Sequence, residues 1–217
     1  MIILSSTPLL SFHDVSLRFG EREILNNFNL EVSEGEKRVL VGGSGSGKSS
    51  LLKAALGFVK IASGEIFYRG EPTTPDVAAR ARREIAYVGQ EQPLGAGAVR
   101  DFLEETLDYR ANRGRRREIR ERFGERLDFF ELPADVLDWE TARLSGGEKQ
   151  RVALSLAASL GKKVFLLDEV TSALDARLRD KTLDLFLGEP SWTTIVVTHE
   201  SYRPEGATYK TTTLGAS

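Results

Sequence analysis

The sequence contains no cysteine. That excludes a disulfide framework, a thiolate metal site and a cysteine nucleophile, and it suits a reducing compartment. Long apolar runs are missing too. The densest stretch, Val152 to Leu160, falls short of the ~20 residues that a spanning helix needs, and it carries serines. Met1 to Leu10 is mildly apolar but lacks a basic start and a cleavage pattern, so no signal peptide is expected. Charge of one sign is also absent. Thirty basic residues face 32 acidic ones, so no global field draws in nucleic acid and no nucleic-acid partner is expected. What remains, 41% hydrophobic and 29% charged residues over 217 positions, suits one soluble α/β domain with chain enough to bury its own core.

Short β-branched runs at Arg38 to Val41, Ile85 to Val88, Val164 to Asp168 and Thr194 to Thr198 alternate with helical stretches. This alternation predicts a mostly parallel sheet with helices on its faces. The N-terminal third differs: Leu9 to Phe19, Leu25 to Val32 and Gly64 to Arg69 read as strands joined by turns, an antiparallel subsheet. Pro93 to Leu160 reads as several helices, with breaks expected at Gly114, Gly124 and Pro133. Between Arg110 and Arg126 eight arginines accompany Glu118, Glu121 and Glu125. One reading is a solvated helix laced with i,i+3 and i,i+4 ion pairs; another is a basic surface for anionic headgroups or an acidic partner. Nucleic acid is disfavoured, because no aromatic side chains are interleaved.

Gly42, Gly43, Ser44, Gly45, Ser46, Gly47, Lys48 and Ser49 match the pattern G-x-x-x-x-G-K-[ST], with Ser50 next. The apolar Val39 to Val41 leads in, and Ser50 to Leu56 leads out with helical spacing closed by Gly57. Glycines let successive N–H groups curl around a phosphate, and the helix N-terminus adds partial positive charge. Lys48 can then reach the terminal phosphates, while the Ser49 hydroxyl can take a Mg²⁺ position.

A phosphate loop needs a carboxylate at a neighbouring strand end. Val164 to Glu169 supplies two: Asp168 to hold Mg²⁺ through water, and Glu169 as candidate general base. Thr194 to Thr198 ends at His199, which is expected to reach the terminal phosphate; His13 has no such context. Farther along, Leu144, Ser145, Gly146, Gly147 and Glu148 combine a capping box with two glycines, opening a helix that Gly161 ends. The glycines leave the helix N-terminus bare for an anion, so this is expected to be a second phosphate site.

Taken in order, these motifs resemble the nucleotide-binding domain of an ABC (ATP-binding cassette) transporter, over nearly the whole chain. The resemblance implies a single ABC domain spanning 1–217. It would have a P-loop NTPase core at about 1–92 and 160–217, with a mostly parallel sheet and an N-terminal antiparallel β subdomain. An inserted α-helical subdomain would span about 93–159. It implies that ATP and Mg²⁺ are bound and ATP is hydrolysed by a head-to-tail dimer. Ser145 and Gly147 of one copy, with Gly146 and Glu148 beside them, would meet the phosphate held by Lys48 of the other. It further places Asp175 where the two sites cross, Gln90 on Mg²⁺ and the attacking water, and Phe19 against adenine. A separate transmembrane permease would supply the pore, leaving this chain cytoplasmic and peripheral on the inner face of the membrane.

Three positions depart from the family pattern. Val170 stands where proline is usual, Gly89 where proline is frequent, and Leu156 where arginine is common. With these departures and the short length, the chain looks more like the small cassettes assigned to metal (iron) export. The alternative class, the non-transport ABC ATPases of DNA repair or translation, carries a coiled-coil insertion or two cassettes, and neither fits in 217 residues. A catalytically dead module would not keep Lys48, Asp168, Glu169 and His199 together.

Overall fold

The computed structural model describes residues 7–198 and 208–214. In chain order, β1 (Leu10–Phe19) and β2 (Arg22–Val32) form a hairpin, and β3 (Lys37–Val41) runs into α1 (Lys48–Ala55). A second hairpin of β4 (Ser63–Tyr68) and β5 (Glu71–Pro72) follows, then α2 (Pro75–Glu84) and β6 (Ile85–Val88). Three helices come next, α3 (Val99–Asp108), α4 (Arg116–Phe129) and α5 (Gly146–Ser159). The chain closes with β7 (Val164–Asp168), α6 (Ala176–Gly188), β8 (Thr193–Thr198) and β9 (Lys210–Thr213).

The expected α/β architecture is present, as two sheets. One is antiparallel in the order β2-β1-β4-β5, and the other is parallel in the order β6-β7-β8-β3-β9. In β1 the apolar residues change phase, Leu10 and Phe12 before the break and Val15 and Leu17 after it, yet all four are buried. A register shift between Phe12 and Val15, with Asp14 left-handed at φ 49°, restores them to the core side.

Apart from the edge strand β9, the parallel strands are largely buried on both faces and so read as apolar runs. Leu40, Val164, Leu166, Ile195 and Val197 pack with α1 and the antiparallel sheet, while Val39, Phe165, Leu167 and Val196 pack with α5 and the helices beyond it. This alternation leaves the strand tips, not their faces, for chemistry.

Two expectations in the helical region need correcting. Gly124 does not break a helix; it lies within α4. Its propensity cost of about 1 kcal/mol is outweighed by the buried stripe Ile119, Phe123 and Leu127 at i,i+4 spacing. The arginine stretch is a paired surface, but only partly through its own helix. Arg115–Glu118, Arg117–Glu121 and Glu118–Arg122 pair within the stretch, whereas Arg116 and Arg120 reach Glu104 on α3. The Arg115 guanidinium also donates to the Leu160 carbonyl at 3.0 Å, satisfying the C-terminal end of α5. Gly114 does separate α3 from α4, Pro133 follows α4, and Gly161 follows α5 with φ 66°.

Candidate active site

The parallel register brings the tips of β3, β7 and β8 to one edge. Val41, at the end of β3, pairs with Thr198, and Asp168 pairs with Val197. Gly42 leaves β3 and the loop closes on Gly47, whose φ of 89° only glycine adopts freely. Gly47 caps α1 with no side-chain bond, and the first turn of α1 holds no acidic residue. The first N–H groups of a helix have no partner within it, and such a start favours a ligand carrying negative charge.

Lys48 is buried, and its ammonium folds back onto the loop, donating to the Gly42 and Gly43 carbonyls at 2.8 and 2.9 Å. Burial lowers its pKa below the ordinary lysine value, and the charges of Glu169 and Asp168 oppose that shift. A phosphate would add negative charge beside this ammonium, acting in the same sense as those two carboxylates.

Asp168 is 2% exposed at the tip of β7. Its Oδ1 accepts from the Ser49 hydroxyl at 2.8 Å and its Oδ2 from the Tyr87 hydroxyl at 3.0 Å. Glu169 follows with φ 53°, a left-handed conformation that costs a non-glycine residue about 1–2 kcal/mol. The bond from its N–H to the Val197 carbonyl, 3.0 Å, holds that turn. Glu169 lines a depression together with Phe19, Ile24 and the loop from Gly45 to Ser50. Phe19, among those lining residues, stands 52% exposed. A second depression, which shares Ser49 with the first, is lined by Asp168, Gln90, Tyr87 and Lys53. Ser44 is exposed on the loop, and Ser50 lies in the first turn of α1. His199 lies outside the described residues, one position beyond Thr198.

Two groups of residues are not brought to this depression within one chain. Ser145 caps α5, accepting from the Glu148 N–H at 3.3 Å while the Glu148 carboxylate accepts from the Ser145 N–H at 2.8 Å. Gly146 faces open space, whereas a Cβ on Gly147 would lie 2.8 Å from the Ala173 carbonyl oxygen. Asp175 caps α6 through the Leu178 N–H at 2.9 Å. Ser145, Gly146 and Asp175 are all exposed. Neither of the two depressions is lined by any of these residues.

The sequence reading missed Tyr87. In β6 it is one large side chain among Ile85, Ala86 and Val88, and nothing in such a run marks a hydroxyl aimed at a carboxylate. Only the pairing of β6 with β7 reveals it.

Strand, glycine loop and bare helix N-terminus, with a buried carboxylate bonded to the serine of the loop, define a P-loop nucleoside triphosphatase domain. The chain belongs to the ABC transporter family, which it matches over residues 25–172. It is 34% identical over 198 residues to the probable iron export ATP-binding protein FetA of Escherichia coli, covering 90% of this chain and 86% of that one. The glutamine transport ATP-binding protein GlnQ of Escherichia coli is also 34% identical over 198 residues, covering 88% and 81%. Among solved structures, a dimeric ATP-binding cassette in a post-hydrolysis state, bound to ADP and Pi, superposes with a TM-score of 0.73 at 28% identity. The match covers 88% of each chain. No helix among the described residues is long and apolar enough to cross a membrane.

Proposed function

We propose that this chain is the ATP-hydrolysing subunit of a transporter, that two copies close around two ATP molecules, and that the closure drives a separate membrane subunit. The observation that carries the reading is the division of the phosphate-binding features. Lys48, Ser49 and Asp168 stand together, while the helix start at Ser145 and Gly146 is exposed and lines neither depression beside them, so that a second copy would complete the site.

In this reading the loop from Gly42 to Ser50 cradles the phosphates, and Phe19 stacks on the adenine. Glu169 takes the proton of the attacking water, and His199 and Gln90 hold that water and the terminal phosphate. Gly146, Gly147, Glu148 and Ser145 form the partner's contribution, and Asp175 lies where the two copies cross. Mg²⁺ fits the donor set: a hydroxyl, an amide and, through water, a buried carboxylate offer it hard oxygen, and phosphates would complete the shell. No cluster of three His, Cys, Asp or Glu among the described residues would hold a cation unaided. When bound, Mg²⁺ would neutralise charge on the phosphates. The stretch 93–159 would act as a helical subdomain inserted between core segments 1–92 and 160–217. The likeness to an iron-export ATP-binding protein, together with Val170 and Gly89, supports a metal-ion cargo.

Ser145→Arg tests the shared site. The variant is expected to bind ATP as a monomer with unchanged affinity and to lose hydrolysis. Mixed with Lys48→Ala chains, it should rescue one of the two sites at most. If Ser145→Arg alone hydrolyses ATP at the wild-type rate, the two-copy site is wrong.

A further inference from the structure

The pairing of β6 with β7 sets Tyr87 opposite Leu166, two residues before Asp168 on the same strand. Successive side chains alternate across a sheet, so Leu166 and Asp168 share a face. Leu166 and the α1 residues Leu51, Leu52, Ala54 and Ala55 form one buried cluster, with Tyr87 packed against it. Three elements therefore converge on a single carboxylate: β7 carries it, α1 delivers Ser49 to Oδ1, and β6 delivers the Tyr87 hydroxyl to Oδ2.

The torsion that spins an aspartate carboxylate is soft, with broad two-fold wells. With Ser49 alone, Asp168 would still pivot about one bonded oxygen. A second donor on the other oxygen fixes the plane of the carboxylate, and the orientation is then set before any ligand arrives. We propose that Tyr87 is a positioning residue for the divalent cation, holding Asp168 in the orientation that cation needs. This rests on the reading above, in which Asp168 and Ser49 hold Mg²⁺. Partners that orient a ligating carboxylate typically account for 10–100-fold in metal affinity. Preorganisation gives that gain without any contact of their own to the metal.

Tyr87→Phe keeps the ring, and with it the packing against α1, and removes only the donor. The full chain is titrated with Mn²⁺ as probe, read by electron paramagnetic resonance in the presence of ATP. ATP affinity is measured separately in EDTA with a fluorescent ATP analogue, and Tm is measured without metal. The expected result is a loss of about 10-fold in Mn²⁺ affinity, with metal-free nucleotide affinity and Tm unchanged. A purely structural hydroxyl would instead lower Tm and weaken metal-free and metal-dependent binding together, and that result overturns the proposal. So does unchanged Mn²⁺ affinity. In an Asp168→Asn background, removing the hydroxyl is expected to add little further loss, and a fully additive loss also counts against it. A wild-type chain that takes up ATP but no Mn²⁺ would sink the metal reading itself, whereas wild-type uptake with an indifferent Tyr87→Phe sinks the positioning role alone.

Discussion

Glu169 occupies a backbone conformation that disfavours its own side chain, at φ 53° directly after the strand that carries Asp168. Strain of this kind persists where surrounding structure fixes it, and here the Val197 carbonyl and the Ser172 side chain hold the turn from both sides. Two substitutions separate chemistry from strain. Glu169→Gln keeps shape and hydrogen bonding but cannot take a proton, so hydrolysis should fall about 10²–10⁴-fold while ATP binding persists. An ATP-dependent dimer should then accumulate on size exclusion. Glu169→Gly relieves the left-handed strain, offset in part by the extra freedom of glycine in the unfolded chain. It is expected to raise unfolding stability by about 0.5–1 kcal/mol while abolishing hydrolysis. A fall in Tm for Glu169→Gly, or wild-type hydrolysis by Glu169→Gln, would refute the assignment. Lys48, Ser49 and Asp168 were legible in the sequence because their spacing follows backbone chemistry. Tyr87 was not, because its partner is set by strand register, which no local pattern encodes.

At the scale of elements, legibility followed the strength of local signals. The strands of the parallel sheet show as apolar runs, and α5 announces both its ends through the Ser145 capping box and Gly161. β9 went unread: Lys210–Thr213 is polar and largely exposed, and only pairing with β3 makes it a strand. α2 went unread although Thr74 caps it and Pro75 opens it, a start signal that was available. The two glycines of α5 looked equivalent in the sequence, and the packing separates them. Gly146→Ala meets nothing, and replacing a helical glycine by alanine should hold or raise stability by up to about 1 kcal/mol. Gly147→Ala drives a methyl against the Ala173 carbonyl, so α5 and the turn before Asp175 must separate, at about 1–3 kcal/mol. Thermal melts of the two variants decide this. Equal Tm values would mean that the close approach is not what requires Gly147.

Across the whole molecule, the strands β6, β7, β8 and β3 are covered on both faces, and the connections between them need their own polar satisfaction. Lys162, just before β7, illustrates how this is met. Its ammonium donates to the Ile85 carbonyl at 2.7 Å and the Arg82 carbonyl at 3.3 Å, tying the start of β7 to the junction of α2 and β6. Burial pushes its pKa down from the ordinary 10.5 to about 8. Between those two values the unfolded chain binds more protons at this residue than the folded chain does. Stability attributable to Lys162 therefore rises with pH through that window, and the burial penalty is felt in full below it. Other groups titrate over the same range, so the informative quantity is the difference between wild type and Lys162→Met in urea melts at pH 7.5 and pH 9.5. The methionine removes the charge but keeps much of the stem. It should gain relative to wild type at the lower pH, with the gap narrowing at the higher one. Whatever pH dependence the two carbonyl bonds carry is already contained in the folded-state pKa, so the change in the gap between the two pH values reads the pKa shift itself. A difference independent of pH would show that Lys162 remains as easily charged in the folded protein as in the unfolded chain, and that the junction is held by its hydrogen bonds alone.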